Sequence, residues 1–323
     1  MYKKALIMAL AICSLVAQAE VDIASTVRQL WQDGNYSEAQ ALLSTKVNSK
    51  TKDAQLLALL GETEAQLNNE DKAEELLAKA IKLDKTNADY QHWYATVSCN
   101  IARSASVFTA LGYVKRCKKA FAMALELAPN NPRSYIALGR FYAQAPSIAG
   151  GDKDQALQLA ERLKIIEPLE GGLLELVASN LNDDAVFNAL LAKNPLLLER
   201  PETYLQRGAA FAREEQHDKA IALYKQALTM PVVDNNAEQT KAQALYQIGR
   251  SAVNGKIEYE QGIAALQQFI EQQPMADNIE WAKLRLGQLY ILQQQQDKAD
   301  RILKPLMAAT QDKKLQDELQ KLL

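Results

Sequence analysis

Two histidines and a few carboxylates are the residues of this chain whose types could support acid–base or metal chemistry. His92 and His217 are the only histidines, and the sequence contains neither an HExxH pattern nor a cysteine cluster with metal-ligand spacing. A GxSxG nucleophile elbow and a Walker-type phosphate loop are also missing. We therefore expect no catalytic residue, no metal and no cofactor, and we predict that the chain is not an enzyme.

The carboxylates support the same prediction. Glu74, Glu75, Glu161 and Glu175 recur at helical spacing, which is typical of solvated helix faces. An enzyme with unrecognised catalytic residues remains a third hypothesis, behind two kinds of binding protein.

The first nineteen residues have the features of a secretory signal peptide. Lys3 and Lys4 precede an apolar run from Ala5 to Val16, and the small residues of Ala17-Gln18-Ala19 suit the signal peptidase. We predict cleavage after Ala19 and a periplasmic protein. A lipoprotein signal ending at Cys13 is the alternative, although the isoleucine before it is bulky for that peptidase. No transmembrane anchor is expected after cleavage, because the apolar run is shorter than the roughly 18 residues that a span needs.

Charge and composition narrow the classes of partner. The chain has 37 Lys and Arg residues against 39 Asp and Glu residues, and loss of the two signal lysines would leave a net charge of about −4. Nucleic acid is therefore not an expected partner, because phosphate binding needs a concentrated basic face. With 48% hydrophobic residues, the chain can bury a core.

The elements that carry these residues are helices. Apolar residues recur at helical spacing almost everywhere after Val21, so we predict an all-α fold. A helical hairpin recurs at a period of about 34 residues. The clearest copy begins at Pro201 and has aromatic and small residues at fixed offsets: Tyr204, Gly208, Phe211, Ala220, Tyr224 and Ala227. Other copies have small residues at the matching offsets: Gly61, Ala73, Ala80, Gly139, Ala156, Ala160, Gly249, Gly262, Gly287 and Ala299.

Through these offsets the sequence resembles the tetratricopeptide-repeat family over most of its length. The resemblance implies a solenoid of tetratricopeptide-type helical hairpins wound as a right-handed superhelix. Small residues are expected where the two helices of a hairpin cross closely. Pro129, Pro168 and Pro274 are expected to end second helices.

The repeat pattern divides the chain into five segments. After the signal peptide (1–19) come N-terminal repeats (20–168), a shortened irregular hairpin (169–200), C-terminal repeats (201–310) and a capping helix (311–323). The irregular hairpin is predicted as two short helices, about Leu173–Asn180 and Asp184–Lys193, between glycines and prolines. In the last segment, apolar residues on one side of a helix suit closure of the array.

Cys99 and Cys117 are 18 residues apart, on the two antiparallel helices of one predicted hairpin. A disulfide across this hairpin is geometrically possible and would suit an oxidising compartment. The alternative is a pair of buried free thiols that act as small apolar residues.

Two surfaces are candidates for partner binding. The resemblance implies that first helices line a concave groove, with these residues facing the partner: His92, Trp93, Arg133, Arg140, Arg213, Tyr246, Arg250, Trp281 and Arg285. Aromatic and arginine side chains are common in binding hot spots, although Trp93 and Trp281 also suit ordinary packing between layers.

The second surface is an edge formed by long turns. Ser104–Ala110 and Ala145–Asp152 are predicted to lengthen two hairpin turns on the same edge, with a smaller extension at Asn254–Tyr259. This edge would present Phe108, Ser147, Ile148, Gly150 and Gly151. Tolerated surface insertions are the alternative explanation.

Together these features favour a non-catalytic periplasmic scaffold or adaptor that binds a peptide or protein of the cell envelope. The alternative is an accessory subunit that binds a small ligand or cell-wall glycan in the groove. The Lys/Asn and Lys/Arg set by which some family members clamp a C-terminal carboxylate is not supplied by any two adjacent hairpins, so that mode is not expected.

Overall fold

The computed structural model describes residues 23–323, and in this range the chain is helical without strands. The predicted signal peptide, with its cleavage site, lies outside the described residues. The chain divides into two compact units, the first extending to Leu159 and the second comprising Ala160–Leu323. The boundary falls inside one helix, α8 (Lys153–Ile166). We call the two parts unit 1 and unit 2.

Unit 1 is a stack of antiparallel helix pairs. Its helices are α1 (23–32), α2 (Tyr36–Ser44), α3 (Ala54–Gln66), α4 (Glu70–Leu83), α5 (Ala88–Ser104), α6 (Val107–Leu127), α7 (Pro132–Gln144) and the first part of α8. From α2 to α7 each helix packs on the next along the chain, and α3 also contacts α5. This neighbour-to-neighbour packing is that of a solenoid.

Unit 2 continues the same architecture. Its helices after α8 are α9 (Pro168–Ala178), α10 (Asp184–Lys193), α11 (Pro201–Arg213), α12 (His217–Thr229), α13 (Asn235–Gly255), α14 (Tyr259–Gln272), α15 (Ile279–Leu292), α16 (Gln296–Ala309) and α17 (Lys313–Gln320). The first helices α11, α13 and α15 lie side by side, since α13 contacts both of the others. The all-α tetratricopeptide-type fold predicted from the repeats is therefore confirmed.

The irregular segment differs from the prediction at one helix start. Helix α10 has the predicted bounds, but α9 begins at Pro168 and runs through Gly171 and Gly172. Close packing explains these glycines, because a Cβ on Gly171 would lie 2.4 Å from the backbone nitrogen of Lys164. The two glycines therefore allow close packing within a helix and do not end it.

Short polar residues set where many helices begin. The side-chain oxygens of Asp53, Asn87, Asn131, Asp183 and Asp234 each accept a hydrogen bond from a backbone N–H of the following first turn. Each one satisfies a donor that has no partner inside the helix.

Four hairpin turns share one left-handed residue at the same place. Gly34, Asn68, Glu215 and Gln294 have φ between 59° and 74° in the turns that join α1 to α2, α3 to α4, α11 to α12 and α15 to α16. The repeat is thus visible in the backbone as well as in the side chains.

The predicted close crossings are present. A Cβ on Gly61 would lie 2.8 Å from Cγ of Leu77, and a Cβ on Gly249 would lie 2.2 Å from Cγ of Leu266. The core of each unit is built around such crossings, with Leu77 and Leu266 fully buried. At the C-terminus, Leu315 and Leu319 of α17 are buried against the last hairpin.

Candidate functional site

The first-helix face of unit 1 brings together three of the predicted groove residues. The guanidinium carbon of Arg133 on α7 lies 5.2 Å from the ring centroid of Trp93 on α5, a cation–π contact. His92 is buried, with its ring centroid 5.5 Å from that of Phe121. Burial, with a smaller contribution from Arg133, lowers the pKa of His92 to about 4. His92 is therefore a neutral core residue at pH 7, and Trp93 with Arg133 forms the accessible part of this face.

Glu62 lies on the same face and was not singled out in the sequence. It belongs to α3 and is half-buried, and this burial raises the pKa of its carboxyl group to about 8 against the opposing charge of Arg133. Glu62 is the ninth residue of the repeat that begins at Ala54, and the predicted groove residue Arg140 is the ninth residue of the repeat that begins at Pro132. Glu62 therefore occupies a groove position. Its position in the repeat is visible in the sequence, but its desolvation is not, because burial depends on how the helices pack around it.

The edge prediction is wrong at the first of its turns. Helices α5 and α6 are joined by two residues, Ala105 and Ser106, because both helices are longer than those of the other hairpins in unit 1. Phe108 consequently lies in the first turn of α6 with 91% of its surface exposed, and not in a loop. The third extension is also short, since only three residues separate α13 from α14.

The turn between α7 and α8 is long, as predicted. Ser147 and Ile148 begin a short 3₁₀ turn, and Ile148 is 87% exposed. Gly150 has φ +90°, and Gly151 could not carry a side chain, because a Cβ there would lie 1.8 Å from the carbonyl oxygen of Ala145. Asp152 acts as the N-cap of α8, accepting a hydrogen bond of 3.1 Å from the backbone N–H of Gln155.

This turn and the groove meet at one cleft of about 430 Å³ in unit 1. The cleft is mainly apolar, and its lining comes from α5, α6, α7 and the long turn: Cys99, Ala102, Arg103, Val114, Phe121, Ala137, Arg140, Phe141, Gln144, Ala145, Pro146 and Ala149. Arg140 from the predicted groove set therefore lies beside the predicted edge turn. Ser147, Ile148, Gly150 and Gly151 are outside the lining.

Cys99 and Cys117 form a disulfide that joins α5 to α6, with their Cα atoms 5.4 Å apart. Cys117 is fully buried, whereas Cys99 is half-buried and lines the cleft. The bond therefore fixes the two helices that form one side of the cleft.

The first-helix face of unit 2 carries the other five predicted groove residues, which we call the arginine groove: Arg213, Tyr246, Arg250, Trp281 and Arg285. They come from the adjacent helices α11, α13 and α15. The guanidinium carbon of Arg285 lies 6.0 Å from the Trp281 ring centroid, and the indole N–H of Trp281 donates to Oδ2 of Asp312 at 3.2 Å. The ring of Tyr246 is tilted against that of Phe269, with centroids 5.7 Å apart.

The electrostatics link these side chains to one another. Burial raises the pKa of the Tyr224 hydroxyl to about 12 against the opposing charges of Arg250 and Arg213, which face it from two helices. Burial and the charge of Arg250 lower the pKa of Arg285, against the opposing influence of Tyr246 and Glu318. Arg250 thus acts on both Tyr224 and Arg285, and Arg213 acts on Tyr224 as well.

One group of carboxylates departs from the predicted solvated faces. Glu175 is buried, and its carboxylate binds Lys164 at 2.5 Å and Lys193 at 3.4 Å. Glu161 binds the same two lysines, at 2.9 Å and 3.0 Å. These four residues form an ion-pair network that holds α8, α9 and α10 together.

Neither a metal centre nor a membrane span is found in the part of the chain that the structure describes. Within residues 23–323, no three His, Cys, Asp or Glu side chains are grouped as metal ligands. None of the helices in that range combines the length and hydropathy of a membrane-crossing segment.

Comparison with known proteins agrees with the architecture. Sequence profiles of the tetratricopeptide repeat match residues 30–95, 201–231 and 243–274. No curated protein sequence matches the chain. Yeast Tom70 has a similar fold, with a TM-score of 0.60 and 18% identity over 90% of this chain and 58% of that one. A tetratricopeptide-repeat protein from Parabacteroides merdae gives a TM-score of 0.54 and 16% identity over 84% of this chain and 99% of that one.

Proposed function

The chain is a tetratricopeptide-repeat protein, and on this premise we propose that it is a non-catalytic scaffold that binds an extended peptide or protein segment in the arginine groove. The observation that carries the proposal is the side-by-side packing of α11, α13 and α15, the three helices that carry the aromatic and cationic side chains of the arginine groove. Such side chains supply most of the binding energy at protein interfaces. Repeat solenoids bind extended partners along faces of this kind.

We further propose that the protein acts in the periplasm, on a partner of the cell envelope. The support is the signal-like N-terminus, for which we predict cleavage after Ala19, together with the Cys99–Cys117 disulfide, since structural disulfides persist in oxidising compartments. Sequencing the N-terminus of protein from the periplasmic fraction is expected to give Glu20 as the first residue. An unprocessed chain found in the cytoplasm would contradict the proposed location.

The binding face is tested by site-specific photo-crosslinking in cells. A photoreactive amino acid replaces Tyr246 in the groove or, as a control, Gln226, which is exposed on the second helix α12. We expect one partner adduct from position 246 and none from position 226. Equal adducts from both positions, or from neither, would refute a partner site in this groove.

A second candidate function is supported by the cleft of unit 1. Its volume of about 430 Å³ and its apolar lining suit a small molecule, as an accessory subunit that binds a ligand or glycan would require. Native mass spectrometry of protein purified from its own compartment separates the two functions. A retained small molecule that is lost on Ala137→Trp substitution supports ligand binding, whereas a bare chain supports the scaffold.

A further inference from the structure

We propose that the arginine groove selects an acidic segment of its partner, whose carboxylates bind Arg213, Arg250 and Arg285. The inference rests on the proposed function and adds the chemical class of the partner. It is carried by a contrast between two sets of arginines within unit 2.

The first set consists of arginines that support the fold, and each has a carboxylate partner. Arg200 is buried and binds Glu202 at 2.6 Å and Asp234 at 2.7 Å. Arg207 binds Asp184 and lies over the ring of Phe187. This is the usual state of a desolvated arginine, because an unpaired charge that loses water destabilises the fold.

The groove arginines lack such partners. In residues 23–323, no carboxylate lies within salt-bridge distance of Arg213, Arg250 or Arg285. Arg213 and Arg250 project into solvent, but Arg285 is partly buried and its Nε atom has no hydrogen-bond partner in the described chain. Its Nη1 atom donates to a neutral acceptor, Oε1 of Gln288, at 2.8 Å. Three cations thus lie on the first helices of adjacent hairpins, and none of them forms an ion pair within the described residues.

Two acidic residues near this face are already engaged. Glu318 on α17 binds Lys321 at 2.5 Å. Asp312 caps α17 by accepting hydrogen bonds from the backbone N–H groups of Lys314 and Leu315, and it also accepts from the Trp281 indole. Neither carboxylate forms an ion pair with a groove arginine, although the charge of Glu318 acts on Arg285 from beyond salt-bridge distance. A carboxylate from outside would therefore have no existing ion pair to displace at these arginines.

The groove also offers hydrogen bonds to an extended backbone. Beside Tyr246, a cleft of about 650 Å³ is lined by the amide side chains of Gln239, Gln243 and Gln247, and Asp277 lines its other side. Amides can donate to peptide carbonyls and accept from peptide N–H groups. Tyr246 lines this cleft and also interacts with Arg285, so a segment bound in the cleft could continue towards that arginine. The ligand that fits is therefore an extended acidic polypeptide and not a free anion.

Fluorescence anisotropy with defined probes tests this inference. A fluorescein-labelled oligoglutamate peptide is compared with an oligoglutamine peptide of equal length and with single-stranded DNA of equal charge. We expect binding of the glutamate peptide only, weakened at least about tenfold by raising NaCl from about 0.05 to 0.5 M, because salt screens exposed charges. Free acetate at the same carboxylate concentration is expected not to displace it.

Substitutions then locate the binding to the groove. Arg285→Gln is expected to weaken binding about tenfold, and Arg213→Gln and Arg250→Gln about three- to fivefold each, because charge-assisted hydrogen bonds gain strength with burial. Arg162→Gln removes the same charge from an exposed position on α8 and is expected to change nothing. Because Arg213 and Arg250 are exposed, their variants keep the test valid even if Arg285→Gln disturbs the fold.

Four outcomes would overturn the inference: no binding of the glutamate peptide, equal binding of the glutamine peptide, equal binding of DNA, or an equal loss with Arg162→Gln. If any of these occurs while crosslinking from position 246 persists, the acidic preference fails and the scaffold function stands. If no crosslink forms from position 246 and the glutamate peptide does not bind, both proposals fail.

Discussion

Replacing Glu62 by glutamine should make unit 1 more resistant to unfolding at pH 8 and leave it unchanged at pH 4. The pKa of the Glu62 carboxyl is raised to about 8 in the folded chain, chiefly by burial, against an ordinary value of 4.5. Between these two pH values the unfolded chain releases a proton that the folded chain retains. The free energy of unfolding therefore falls as the pH rises through this window.

The size of the effect follows from the gap between the two pKa values. At about 1.4 kcal/mol for each pH unit, the gap sets a ceiling of about 5 kcal/mol at pH 8. The Glu62 side chain is half-buried and open to water on the groove side, so solvent screening reduces this. We expect the glutamine variant to gain about 1–2 kcal/mol at pH 8 and nothing at pH 4.

Urea unfolding, monitored by tryptophan fluorescence at pH 4, 6 and 8, measures this gain. Glu38→Gln, which removes an exposed carboxylate from α2, is the matched control and should show no comparable rise with pH. Carbon-13 NMR of the Glu62 carboxyl provides a direct second measurement. A titration near pH 4.5, or an equal gain in both variants, would refute the reasoning that burial dominates at this site.

Three further predictions concern the core. As the pH falls from 6.5 to 4, His92 gains a proton in the unfolded chain but not in the folded chain, where it is buried. The free energy of unfolding therefore falls by up to about 3 kcal/mol. In urea unfolding measured across this pH range, His92→Gln should reduce the fall in the midpoint at low pH. Gly249→Ala should destabilise unit 2 by about 1–3 kcal/mol, because the added Cβ would collide with Leu266. Gly112→Ala has open space on α6 and should stabilise unit 1 by about 0.5–1 kcal/mol. Calorimetry that shows stability changes of the same sign for both variants would contradict the close crossing. Reduction of the Cys99–Cys117 bond should lower the free energy of unfolding by about 3 kcal/mol, as measured by urea unfolding with and without dithiothreitol. A double variant, Cys99→Ser with Cys117→Ser, that still responds to the reductant would contradict this.

The sequence was sufficient for the hairpins because the residues that define them act locally. Gly208 and Tyr224 belong to one hairpin, and their contact repeats as Gly61 with Leu77 and Gly249 with Leu266. A packing rule that recurs about every 34 residues can be recognised from residue types alone. The Pro201 copy, where all the expected offsets are filled, was therefore a sound guide to the fold.

The site was harder to predict, because its properties depend on residues distant in sequence. Desolvation raises the pKa of Glu62 through packing of other helices around α3, and Glu175 is buried with lysines from α8 and α10. The sequence predicts a long turn over Ser104–Ala110, between the two helices of one hairpin. In the structure most of these residues extend α5 and α6, which the disulfide joins.

The disulfide also bears on how the protein would mature. Residues 23–323 contain two cysteines, so oxidation of this part of the chain has a single intramolecular product and no scrambled isomer. The bond closes a span of 18 residues within one hairpin, and it can form once α5 and α6 meet, before neighbouring hairpins dock. For the periplasmic protein that we propose, formation of this disulfide would need an oxidant but no isomerase.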